Sequence, residues 1–151
     1  MTKLIASWFG TGLILRKIRA SDAGSGTVAS VVTFPFAIWL GSLGVFAQVA
    51  ATLAVIALGI WSVSALVEDE GDAGWIVVDE AAGTFIATIG LGWGPGLVAL
   101  VIFRVADIFK SGFPGVARAE QISGARGVIG DDIVAGFYGL AAGLVTKVFL
   151  F

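Results

Sequence analysis

The 151-residue chain has no cysteine and no histidine. Without cysteine there are no disulfides, no thiolate nucleophile and no zinc–thiolate site. Without histidine there is no imidazole base, no phosphohistidine and no histidine metal ligand. Charge is also scarce. Asp, Glu, Lys and Arg make up 13% of the residues, against about 25% in an ordinary soluble domain. That is too little to coat a soluble fold of this length. The net charge of −2 lacks the basic footprint that a nucleic-acid partner requires. Any chemistry therefore rests on 11 carboxylates, 9 Lys/Arg, hydroxyls and the backbone.

What the chain has in quantity is apolar: 58% of residues, with a mean hydropathy of +0.99. This composition predicts an all-α integral membrane helical bundle, one domain over residues 1–151. At roughly 20 residues per span the length suits about four to five membrane-embedded helices. An N-terminal interfacial helix, with a break at Gly10-Thr11-Gly12, precedes them over Met1 to Arg19, where Trp8, Phe9, Leu13, Ile14 and Leu15 sit among Lys3, Arg16, Lys17 and Arg19. A turn cluster follows at Ser21 to Gly26. Thr27 to Leu40 is uncharged but only 14 residues long and contains Pro35, so it reads as a short buried helix or a re-entrant segment. Leu43 to Val67, 25 residues without a charge, is the clearest transmembrane helix. The acidic stretch Glu68-Asp69-Glu70-Gly71-Asp72 that ends it reads as a solvated loop. Trp75 to Ile89, a turn at Gly90 to Gly96, and Leu97 to Phe109 form a hairpin. Lys110 to Gly130 is the longest polar connection, and Asp131 and Asp132 open a last helix running to Phe151.

If each segment crosses, eight of the nine basic residues fall on one side and only Lys147 on the other. The basic side is the cytoplasmic one by the positive-inside rule. Trp8, Trp39, Trp61, Trp75 and Trp93 read as interfacial anchors. The glycines, Gly83 and Gly136 among them, predict close helix contacts, within or between chains.

Charges inside apolar helices need a reason, because each costs about 2.5–3.5 kcal/mol at the bilayer centre on insertion scales. Arg104, Asp107 and Lys110 recur every third residue, one helical face over two turns. Asp79 and Glu80 begin the preceding helix and Asp131 and Asp132 the next, all at one membrane depth. Five carboxylates thus converge with two cations. Such hard oxygen ligands suit Mg²⁺, which binds through one or two carboxylates, waters and substrate phosphate. Arg104 and Lys110 would hold the phosphate, Arg104 by a bidentate fork. Structural alternatives exist for each part: Asp131 as an N-cap, Arg104–Asp107 as an i,i+3 ion pair, Lys110 as a snorkelling side chain. An ion-coupled transporter or channel subunit, whose pathway also needs intramembrane carboxylates, is the alternative function. It accounts less well for acids confined to one side.

Three stretches resemble the bacterial phosphatidylglycerophosphatase A family. Asp79-Glu80-Ala81-Ala82-Gly83 is similar to its D-E-x-x-G, Phe103 to Lys110 to its F-R-x-x-D-I-x-K, and Gly124 to Gly136 to its G-G-x-G-I-M-x-D-D-x-x-A-G. Gly26-Thr27-Val28-Ala29-Ser30 is like its G-T-x-G-S. Ser111 stands where the family usually has Pro, and Ala125 and Ala29 replace glycines. The resemblance implies a multi-pass phosphoric monoester hydrolase of the bacterial inner membrane. It would convert phosphatidylglycerophosphate to phosphatidylglycerol in phospholipid biosynthesis, Mg²⁺-dependently and at the cytoplasmic side. Asp79, Glu80, Asp107 and Asp132 would hold the metal or the attacking water, with Asp131 a fifth catalytic partner and Arg104 and Lys110 on the phosphate. Attack by water and attack by an aspartate through an acyl phosphate both fit the sequence.

Overall fold

Pro35 does not end its helix. In the computed structural model, which describes residues 1–71 and 73–150 and leaves the side chains of Arg19 and Glu70 out, a continuous helix runs from Ser25 to Ser42. The expectations placed on Asp72, Phe151 and the side chains of Arg19 and Glu70 lie outside the described residues. Among the described residues every regular element is helical. Short helices α1 (Thr2–Ala6) and α2 (Ile14–Arg19) precede α3 (Ser25–Ser42), α4 (Val45–Ser64) and α5 (Val67–Glu70). Helices α6 (Val78–Ala87), α7 (Trp93–Ile108), α8 (Val116–Glu120) and α9 (Ala125–Leu150) follow.

Among the described residues three helices, α3, α4 and α9, are long and apolar enough to cross a membrane. Their 18, 20 and 26 residues correspond to about 27, 30 and 39 Å of helix. The Trp75 to Ile89 segment is not such a helix. Only Val78–Ala87 is helical, about 15 Å long, and nearly every residue in it is buried. It is the enclosed centre of the bundle, and its approach, Trp75-Ile76-Val77, is a buried irregular stretch.

Glycine sets the helix packing. A Cβ on Gly136 would lie 2.8 Å from the carbonyl oxygen of Gly83, and one on Gly139 would lie 2.6 Å from that of Ala99 and 3.0 Å from Cβ of Ala87. At Gly143 it would strike Leu91. Gly136, Gly139 and Gly143 therefore form a seam on α9 into which α6 and α7 press, α6 running alongside α9 and α7 against it. Larger residues here would hold the backbones apart. The far end of α6 is stapled by Gln48, fully buried in α4. Its Nε2 donates to the carbonyls of Ala37 (3.1 Å) and Thr88 (2.9 Å), and its Oε1 accepts from the Gly90 amide (2.8 Å). Lys147 also reaches this end, donating to the Gly90 carbonyl at 2.9 Å. Outward-facing Val31, Leu53, Val101 and Val145 are exposed, as suits a surface facing lipid tails.

The N-terminal segment differs from a single interfacial helix. Trp8, Phe9 and Gly10 all adopt positive φ (46°, 57° and 88°), and the chain doubles back through a 3₁₀ turn at Thr11–Leu13. Ser7 anchors the reversal: its Oγ accepts from the Gly10 amide at 3.1 Å and its carbonyl from Gly12 at 3.1 Å. Ala6, Ser7 and Trp8 are buried, Trp8 edge-on to Phe85. Trp8 and Trp75 are thus core residues rather than anchors, whereas Trp39, Trp61 and Trp93 are exposed. Glu68 and Asp69 lie exposed on α5, as expected of a solvated acidic stretch.

Candidate functional site

The acidic residues gather at the end of the bundle opposite Gln48. Asp79 and Glu80 lie in the first turn of α6, where carboxylates suit the positive end of the helix dipole. Asp131 and Asp132 do not cap a helix, because α9 starts at Ala125 and holds them in its interior. Lys110 to Gly130 reads as one polar connection, yet its end, from Ala125 on, is helical, and Gly124, with φ +76°, turns the chain into that helix. Gly127 is needed within the helix because a Cβ there would overlap the Ile122 carbonyl.

Carboxylate oxygens of Asp79, Glu80 and Asp132 all lie within 4.8 Å of one another. Asp132 is 2% exposed and Asp79 8%. Glu80 Oε2 and Asp132 Oδ1 are buried without a hydrogen-bond partner. Carboxylates at this separation repel when ionised, and burial has stripped Asp79 and Asp132 of water, which is costly without a compensating cation. Unpartnered hard oxygens from two helices fit a small divalent ion that demands oxygen ligands.

The other two carboxylates each form a close ion pair. Asp107 Oδ2 lies 2.7 Å from Arg104 Nη1, the i,i+3 pair anticipated on α7. Arg104 Nη1 also stands 3.9 Å from Glu80 Oε1, tying the guanidinium to the acidic trio. Its Nε and Nη1 have no aligned acceptor, so the donor fork is held in place but not saturated. Lys110 leaves this face, because α7 stops at Ile108 and Lys110 begins a 3₁₀ turn. Its Nζ donates to Asp131 Oδ2 at 2.6 Å and to Glu120 Oε1 at 2.8 Å. Burial alone would lower the Lys110 pKa, but its bonds to Asp131 and Glu120 outweigh that and hold it above the ordinary lysine range. Asp131 Oδ1 accepts from the Asp132 amide at 3.0 Å. The five converging carboxylates thus divide into a trio and two ion pairs.

Two contributors had no assigned role in the sequence reading. A Cβ on Gly26 would overlap the Glu80 carboxylate and sit 3.0 Å from Arg104 Nη2. The start of α3 therefore leaves room for this pair, and the glycine in the Gly26-Thr27-Val28-Ala29-Ser30 stretch was the available signal. Glu120, on the short helix α8, carried none.

The family model of phosphatidylglycerophosphatase A matches residues 4–147. The chain belongs to the phosphatidylglycerophosphatase A family. A relative from Bacteroides thetaiotaomicron, named "Putative phosphatidylinositol-3-phosphatase", is 30% identical over 146 residues, 89% of this chain and 86% of that protein. No solved structure matches. Family and relative together support a phosphatase acting on lipid phosphates. For this family member, Gly83 of Asp79-Glu80-Ala81-Ala82-Gly83 gains a physical reading. A Cβ there would run into the Phe103 ring and lie 2.9 Å from the Asp132 carbonyl. The glycine lets α9 bring Asp132 up to the two acids one turn earlier on α6.

Proposed function

We propose that this protein is a Mg²⁺-dependent phosphatidylglycerophosphatase. It removes the terminal phosphomonoester of phosphatidylglycerophosphate to leave phosphatidylglycerol, at the cytoplasmic face of a bacterial inner membrane. The observation that carries the reading is the trio Asp79, Glu80 and Asp132, its two aspartates buried, coupled through Glu80 to the unsaturated fork of Arg104.

In this reading Asp79, Glu80 and Asp132 hold Mg²⁺. Bound there, Mg²⁺ supplies Lewis acidity toward a phosphoryl oxygen and a water. Arg104 grips the phosphate through paired N–H donors, aimed by Asp107. Lys110, kept charged and tethered by Asp131 and Glu120, provides a second cation at the rim. Water is the nucleophile. The P–O bond to the glycerol headgroup breaks, and the leaving oxygen takes up a proton as inorganic phosphate departs.

Family membership favours this reading over an ion-coupled transporter. The Bacteroides thetaiotaomicron relative favours a second substrate, a 3-phosphorylated inositol lipid. Phosphate release from short-chain phosphatidylglycerophosphate, phosphatidylinositol 3-phosphate and phosphatidic acid separates the two. We expect the first to be hydrolysed fastest, with activity abolished by EDTA and restored by Mg²⁺. Faster turnover of the inositol lipid would move the substrate. No release from any lipid would refute the phosphatase.

A further inference from the structure

Helix α3 begins against the acidic cluster. A Cβ on Gly26 would overlap the Glu80 carboxylate and stand 3.0 Å from Arg104 Nη2, so the opening turn of α3 borders the site directly. The Ser25 amide donates to the Asp22 carbonyl at 3.0 Å and the Val28 amide to the Gly24 carbonyl at 3.1 Å. Between them, the amides of Gly26 and Thr27 have no acceptor among the described residues. A capping side chain would ordinarily take one of them, but the N-cap is Gly24, which has none. Gly26 is buried, where an unpaired amide is costly.

A second group points to a ligand. Ser25 is fully buried, and its Oγ has no hydrogen-bond partner. Cα–Cβ bonds in a helix lean toward its N-terminus, so this hydroxyl extends toward the same open end as the two amides. Arg104 Nε and Nη1, beside that turn, also lack an aligned acceptor. Unpaired amides at a helix N-terminus favour an anion with several oxygens.

We propose that the opening turn of α3 is a phosphomonoester cradle, in which the Gly26 and Thr27 amides and the Ser25 hydroxyl receive the substrate's terminal phosphate beside the Arg104 fork. The proposal rests on the phosphatase reading, whose divalent ion, with Arg104, offsets the repulsion between the phosphate and Glu80. A monoester presents three non-bridging oxygens and a diester two. Two amides, a hydroxyl and a guanidinium are matched by three, so the cradle selects the monoester against the diesters of the surrounding bilayer.

The test is equilibrium dialysis of radiolabelled inorganic phosphate against the purified full chain in neutral detergent with Mg²⁺. It is paired with kcat/KM for short-chain phosphatidylglycerophosphate. The wild type is expected to bind one phosphate, which dimethyl phosphate, a diester, does not displace. Thr27→Pro deletes a single amide hydrogen. Proline is tolerated in a first helical turn, and Gly26 before it has no Cβ for the ring to strike. Relative to Thr27→Ala, it should weaken phosphate binding and lower kcat/KM at least tenfold, with Mn²⁺ binding retained. Ser25→Ala should weaken phosphate several-fold while the melting temperature stays level or rises, because an unpaired buried hydroxyl is removed. Ser25→Ala decides the matter if the proline variant loses Mn²⁺ as well. Equal behaviour of Thr27→Pro and Thr27→Ala would overturn the cradle and leave the phosphatase reading standing. So would a Ser25→Ala variant that melts lower yet binds phosphate like wild type, or displacement by dimethyl phosphate. Weaker phosphate binding with unchanged kcat/KM would make the turn a site for free phosphate and overturn its role toward substrate. A wild type that neither binds phosphate nor releases it from any lipid would remove the phosphatase reading too.

Discussion

Gly83 and Gly136 touch backbone to backbone: a Cβ on Gly136 would stand 2.8 Å from the Gly83 carbonyl oxygen. Gly83 follows Asp79 by four residues, and Gly136 follows Asp132 by the same interval, so the contact sets how closely the two acidic turns approach. Because the obstructing atom is backbone, Gly136→Ala must push α6 and α9 apart, an overpacking cost of about 1–3 kcal/mol. We expect a lower melting temperature in detergent and a several-fold rise in the Mg²⁺ concentration needed for half-maximal activity. A shift in melting temperature alone would make the glycine pair purely structural.

The charges should rank by position. Asp79→Asn, Glu80→Gln and Asp132→Asn keep size but remove charge, and each should cost about 10²–10³ in turnover. Arg104→Lys should be comparably severe, because an ammonium cannot reproduce a bidentate grip. Asp69→Asn, exposed on α5, should change activity only a few-fold through screened surface charge. Initial rates of phosphate release at saturating Mg²⁺, with melting temperature as the folding control, measure the panel. Near-normal turnover in Asp132→Asn with loss in Asp69→Asn would move the site to the acidic stretch after Val67.

Much of this site was legible in the sequence because intramembrane charge is expensive and therefore informative. Asp79-Glu80, Arg104/Asp107 and Asp131-Asp132 stood out against apolar helices, and α4 against everything else. The division of labour was not legible. A three-residue spacing placed Lys110 on the Arg104 face, but α7 ends at Ile108 and the lysine turns toward Glu120 and Asp131. The start of α9 was hidden because Lys110 to Gly130 read as one polar connection, whereas Gly127 within it sits in the helix and serves close packing. The burial of Trp8 depends on left-handed backbone at Trp8 and Phe9, residue types that give no local hint of it. Hydropathy made Trp75 to Ile89 resemble a span, since a short helix enclosed by protein is as apolar as one facing lipid.

Gln48 offers a test of the fold away from the site. Gln48→Leu leaves the Gly90 amide and the Ala37 carbonyl without their side-chain partner in a buried setting. Each such loss costs about 1–3 kcal/mol. Thermal unfolding in detergent should fall by several degrees, while turnover below the transition stays within about two-fold of wild type, because the residue sits at the end opposite Asp132. A loss of turnover without a loss of stability would contradict that separation.

Topology can be read directly, since the chain has no native cysteine. Ser111 and Gly92 are both exposed, and a Cβ at Gly92 meets nothing within 4 Å. With an impermeant thiol reagent applied from outside the inner membrane, Gly92→Cys should label and Ser111→Cys should not. The reverse pattern would put the acidic cluster on the periplasmic side.

The most direct test of the metal centre does not depend on substrate. Mn²⁺ binding to the purified protein, followed by electron paramagnetic resonance with Mg²⁺ as competitor, reports the site itself. One tight Mn²⁺ per chain is expected, displaced by Mg²⁺, lost in Asp132→Asn and unchanged in Asp69→Asn. A wild type that binds no Mn²⁺, or an Asp132→Asn variant that binds it as tightly as wild type, would contradict the assignment of Asp79, Glu80 and Asp132 as a metal centre.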